Sequence, residues 1–239
     1  MKEVKKVNIV YVAELSADID DLIAAEYLHL KKVLTQIVLD PYPKDKEGLE
    51  RIKDLQNMGI TILEEIPTNT DIIICGGAFT KIAKYVKTNK LKTLIANGGF
   101  VGNNIVKEPL EKFKTKKEIR TFNFNIDANS TDKVLKSKNI DKIILIGKNV
   151  CHDIKNTQPH IWKNEEFLNK YNLKETKRLH DLLAAKEGLI LEGILKEESI
   201  LNFKEVYPYN LELNGAYTLW GSSLKETNYR KVIAAINFK

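Results

Sequence analysis

The chain has 239 residues, 43% of them hydrophobic, enough to bury one sizeable core. Its net charge of +6 comes from lysines scattered among acids rather than gathered in a block, which argues against a nucleic-acid partner. Two cysteines, Cys75 and Cys151, are too few for a disulfide scaffold or a cysteine metal site.

The opening MKEVKKVNIVYVAEL leads into a strand-like run without a cleavage-site pattern or a long apolar segment, so a cytoplasmic protein with no membrane contact is expected. Apolar runs rich in β-branched residues follow one another at VNIVYVAEL, TQIVLD, TDIIICGG, LKTLIANGGF and DKIILIG. Amphipathic stretches at Asp20 to Lys32, Gly48 to Met58, Thr80 to Thr88 and Asn129 to Ser137 predict helices between them. The alternation predicts an α/β fold with a mostly parallel central sheet and helices on both faces, in one domain spanning residues 1–239. Near Thr121, TFNFNID alternates as a strand would, which predicts Asn123 and Asn125 on one face and Phe122 and Phe124 on the other.

In open parallel sheets the ligand lies beyond the carboxyl ends of the strands. There this chain is polar: Ser16, Asp18, Asp20 and Asp21 follow the first strand, Asp40 the second, a glycine pair the third and NGGFVGNN the fourth. The carboxylates of SADIDD would repel one another unless compensated, so they suit a hard divalent cation, calcium or magnesium. They equally suit the N-terminus of the following helix. Asparagine side chains offer donors and acceptors to vicinal hydroxyls, as a ribose presents them. His180 and Asp181 open another helix, where they could cap it or serve chemistry. The basic stretch Lys112 to Arg120 could attract a phosphate-bearing ligand. CHDIKNTQPHIWKNEEF, with His152, His160, Trp162 and Phe167, has the composition of a lid over residues 151–179.

Taken in order, these motifs resemble the inosine-uridine preferring nucleoside hydrolase family. SADIDDLIAA resembles the tail of its DxDxGxDD motif, with Asp20 and Asp21 in the places of the paired aspartates. CGGAFTKIA is similar to its LGPLTNIA, NGGFVGNN to its MGG and following GN, FNFN to AEFN, and HDLLAA to HDPLA. LELNGAYTLWGSS and NYRKVIAAINF resemble its terminal strands. The resemblance implies hydrolysis of the N-glycosidic bond of a ribonucleoside by water activated on Ca2+, through an oxocarbenium-like transition state. It implies Asp21, the main-chain carbonyl of Asn97, and Asp181 as calcium ligands, with Ser16 at a further ligand position. Asp20 would reach the ribose, and Asn103 or Asn104, Asn123 and Asn125 would grip its hydroxyls. His180 would protonate the leaving base, and Asp40 and Trp162 are further substrate-binding candidates. A small-molecule nucleoside, a modified one such as queuosine included, is the expected partner, and a homo-oligomer the expected assembly.

Glu14 and Ser16 stand where the family motif has its first two aspartates, and Asp18 where it has glycine. A serine hydroxyl is neutral and a poor base, so Asp18 or Glu14 would have to compensate. The alternatives are a nucleoside-binding protein with a degenerate metal site, or a phosphate-dependent sugar enzyme.

Overall fold

The computed structural model describes residues 7–16, 19–153, 178–213 and 217–239. Asp18, Trp162 and most of the expected lid lie outside the described residues.

Seven strands run parallel: β1 (Ile9–Ala13), β2 (Gln36–Leu39), β3 (Thr61–Leu63), β4 (Ile72–Cys75), β5 (Leu91–Asn97), β7 (Ile140–Ile146) and β10 (Val232–Phe238). Antiparallel β8 (Leu201–Leu213), β9 (Tyr217–Ser223) and the two-residue β6 (Glu118–Ile119) complete a sheet in the order β3-β2-β1-β4-β5-β7-β10-β8-β9-β6. The inner parallel strands are buried on both faces, which is why β1 and β4 read as unbroken IVYVA and IIIC rather than as an alternation.

Alternate residues serve opposite layers. Tyr11, Ala13, Ile72 and Ile74 join the apolar faces of α1 (Asp20–Leu30), α2 (Lys46–Asn57) and α7 (His180–Leu191). Val10, Val12, Ile73 and Cys75 pack on the other side with α3 (Thr80–Tyr85) and α5 (Ala128–Lys136). Helices therefore cover both faces, as the alternation predicts. Helix α1 is buried along nearly its whole length, Asp20 and Asp21 included, because it packs against the sheet, α2 and α7. Helix α2 is set by Asp45, whose carboxylate accepts from the backbone N–H of Gly48 at 2.7 Å.

The chain departs from its alternation at TFNFN. Phe122–Ile126 is a short helix, α4, not a strand. The Asn125 amide donates to the Thr121 carbonyl at 3.2 Å, and Phe124 is fully buried between Phe79 and Trp220. Residues two apart on a helix point about 200° from each other, so Asn123 and Asn125 diverge and Phe122 is left 55% exposed. The helix α6 (Lys148–Cys151) follows β7 directly.

Gly188 of α7 faces β5 so closely that a Cβ would collide with Ile95 Cγ2 in the core. Gly188→Ala is expected to destabilise the protein by about 1–3 kcal/mol through overpacking, read as a lower urea midpoint. An unchanged midpoint would contradict this helix–sheet contact.

Candidate active site

The sheet order reverses at β1. From it the chain proceeds outward to β2 and β3, then returns to place β4 on its other side. Diverging connections open a crevice beyond the carboxyl ends of β1 and β4. A cavity of about 340 Å³ lies there, lined by Glu14 after β1, Gly76 after β4, Asn97 and Gly98 at the end of β5, and Lys148 after β7. Asp20 and Asp21 from α1, Asp181 and His180 from α7, and Thr121, Phe122 and Asn123 around α4 complete most of its wall.

The N-termini of α1 and α7 meet at this cavity. Asp20 caps the other helix rather than its own: its Oδ2 accepts from the backbone N–H groups of His180 at 2.6 Å and Asp181 at 3.2 Å. Both helices direct the positive ends of their dipoles at the carboxyl groups. Asp21 Oδ1 accepts from the phenol of Tyr11 at 2.5 Å. Burial, then the charges of Asp21, Asp181 and Asp20, push the Tyr11 phenol well above its ordinary pKa, so it remains a donor. Asp181 Oδ1 accepts from Asn97 Nδ2 at 2.7 Å. A Cβ on Gly76 would collide with Asp21 Oδ1 and lie 2.8 Å from Asp181 Oδ1. Two carboxylate oxygens thus converge on the space that this glycine leaves open.

Asn123 donates Nδ2 to the carbonyls of Gly76 at 2.7 Å and Asn97 at 3.0 Å, tying the ends of β4 and β5 together. Its Oδ1 is the atom it can offer to a hydroxyl. Phe122 gives the cavity an exposed aromatic face. The His180 ring lies 5.1 Å, centroid to centroid, from that of His152.

Of the expected site residues, Asp20, Asp21, Asn97, Asn123, His180 and Asp181 come together here. Others are placed elsewhere. Asn125 bonds the backbone of Thr121 and Thr218, Asn104 donates to the Ser222 carbonyl, and Asn103 to that of Lys114. Asp40 caps α3, accepting from the Lys81 N–H at 2.7 Å. Burial raises its pKa against that bond. The Ser16 hydroxyl bonds Asp45, which holds that carboxyl below its usual range. None of these five lines the cavity.

Sequence reasoning passed over Tyr11, Thr121, Cys151 and Lys148. Lys148 had a readable signal, since it follows the strand LIG at a carboxyl end. Tyr11 had none, because a tyrosine inside a buried strand reads as core. Cys75 and Cys151 are both free and buried.

No family model matches the sequence. The fold is similar to that of an inosine-guanosine nucleoside hydrolase, with a TM-score of 0.62 over 97% of this chain and 95% of that one. At 15% sequence identity the likeness is one of fold. An uncharacterised protein of Aquifex aeolicus (strain VF5) is 28% identical over 174 residues, which are 65% of this chain and 56% of that protein. The chain thus spans about half the length of that relative. Among the described residues no helix is long and apolar enough to cross a membrane.

Tyr11→Phe removes the phenol that donates to the buried Asp21. Loss of a hydrogen bond to a charged group is expected to cost about 1.5–3 kcal/mol of stability at neutral pH, measured by denaturant unfolding. A stability equal to the parent's would show that this bond does not hold Asp21.

Proposed function

We propose that the protein is an N-ribosyl hydrolase that splits a ribonucleoside into free base and ribose. One observation carries the reading: Asp20, Asp21 and Asp181 are gathered from two helix N-termini into a cavity at the switch point of the sheet. The likeness in fold to a nucleoside hydrolase supports it.

A ribose whose glycosidic bond is breaking becomes positively charged at its ring, and fixed carboxylates stabilise that charge without reorganising. Asp20 is held rigid by two amide donors and Asp21 by Tyr11. Asn123 Oδ1 accepts from a sugar hydroxyl, and Phe122 offers a stacking surface to the base. Stacking of this kind is worth about 1–3 kcal/mol per base. His180 stands at the cavity wall to pass a proton to the leaving nitrogen.

The donors at Gly76 are hard oxygens in the close, like-charged arrangement that suits a calcium ion, so Asp21, Asp181 and the carbonyl of Asn97 would hold one. When bound, that ion supplies Lewis acidity to activate water beside the sugar. Because the Ser16 hydroxyl is engaged with Asp45, a second reading is binding of a ribonucleoside without cleavage. Calorimetry with chromatography separates the two, since binding alone releases heat but no base.

A chromatographic screen of ribonucleosides, 7-deazaguanine ribosides such as queuosine included, with calcium and then with chelator, tests the main reading. Asp21→Ala and Asp181→Ala are each expected to lower base release at least about 100-fold while the circular dichroism spectrum is kept. His180→Ala is expected to slow substrates with poor leaving groups most. Full activity of either aspartate variant would remove that residue from the chemistry.

A further inference from the structure

Beside its carboxylates the cavity has Lys148 in its wall and, behind the lining ring of His152, the cations Lys112 and Arg178, none of which the hydrolysis of a neutral nucleoside uses. Lys148 lines the wall, and its Nζ donates to the Arg120 carbonyl at 2.9 Å. His152 lines it as well, and two cations crowd that ring's Nδ1: Lys112 Nζ at 2.6 Å and an Arg178 guanidinium nitrogen at 2.9 Å. One ring nitrogen has a single lone pair, so it cannot satisfy both donors. Arg178 Nε is buried without a hydrogen-bond partner.

Some lysines of this protein pair with acids, as Lys84 does with Glu65 and Lys142 with Glu192. Among the described residues no carboxylate forms an ion pair with Lys112, Lys148 or Arg178. The crowding registers on the two lysines and on the ring. Burial, then Arg178 and Lys148, lowers the pKa of Lys112, and burial, then Arg120, lowers that of Lys148. Burial, then His180 and these cations, pushes His152 down to about 3, so the ring between them stays neutral. Lys148 and Arg178 are partly buried and Lys112 is exposed beside them, and like charges so placed are unfavourable until an anion joins them. An ammonium and a guanidinium side by side are a receptor for an oxyanion.

We propose that the cavity takes a ribonucleoside carrying an anionic oxygen group, which Lys112, Lys148 and Arg178 hold while the carboxylates engage the sugar. The inference rests on the hydrolase reading above and narrows its substrate class. A 5'-phosphate on the ribose or a carboxylate on the base would supply the same chemistry. In either case water adds its oxygen to C1', the C1'–N bond breaks, and its electron pair and one proton go to the base nitrogen. The anionic group itself is left unchanged.

Uridine, uridine 5'-monophosphate and orotidine form a matched set, since each anionic member differs from uridine by one group. The full chain is titrated with all three by calorimetry, and base release is followed by chromatography. At least one anionic member is expected to bind or be cleaved about tenfold or more better than uridine. A preference for the monophosphate identifies a 5'-phosphate, and a preference for orotidine a carboxylated base. Lys148→Met and Arg178→Met are each expected to cut that preference, taken as a ratio to uridine, by about tenfold. Equal handling of the three ligands, or a preference that survives in both variants, overturns the inference. Cleavage of neutral nucleosides in the screen above would then leave the hydrolase reading standing. Tight anion binding with no base released from any substrate would instead overturn the hydrolase reading and keep the anion site.

Discussion

The carboxylate of Asp20 joins two helices whose first turns lie 160 residues apart in the chain. By accepting from the amides of His180 and Asp181, it closes the open N-terminus of α7 and fixes α1 against it. The same contact delivers Asp181 to within reach of Asp21. Remove it, and the buried Asp20 carboxyl loses these two backbone donors while the first amides of α7 lose their acceptor. The rest of the site presupposes this clamp: Tyr11 steadies Asp21 from β1, Asn97 steadies Asp181 from β5, and Gly76 leaves the space between them open.

The cavity is a consequence of sheet order. Because β2 and β4 flank β1 in parallel, the connections leaving them part above it, and whatever follows each strand faces a shared crevice. Asn123 bridges the ends of β4 and β5 there, so the strand ends are held together by a side chain that also lines the cavity. One cavity thus places carboxylates near partly buried cations. That polarity suits a substrate with a region of developing positive charge and a separate fixed negative one.

Much of this was readable from residue order. The buried strands and the helices between them follow from composition and period, because unbroken β-branched runs have few other uses. Asp20, Asp21, His180 and Asp181 stood out because polar residues directly after a strand or opening a helix are exposed to function by position. The short helix at FNFN misled, since alternation in five residues carries no information on whether a local amide will bond its neighbour or a sheet. Where Asn103, Asn104 and Asn125 bond was not legible, because an asparagine satisfies a stranded backbone carbonyl as readily as a sugar hydroxyl, and here each bonds a carbonyl.

Local order alone thus decided the layers, the buried strands and which acids open which helices, because those depend on interactions between near neighbours. It could not decide which helix Asp20 caps, that Ser16 turns to Asp45, or that Lys112 and Arg178 meet at one histidine. Each of those is a contact between distant segments, chosen by how the packed sheet and helices bring buried polar groups to the partners available. The free energy of leaving such a group unpaired is what selects among them, and it exists only once the chain has folded.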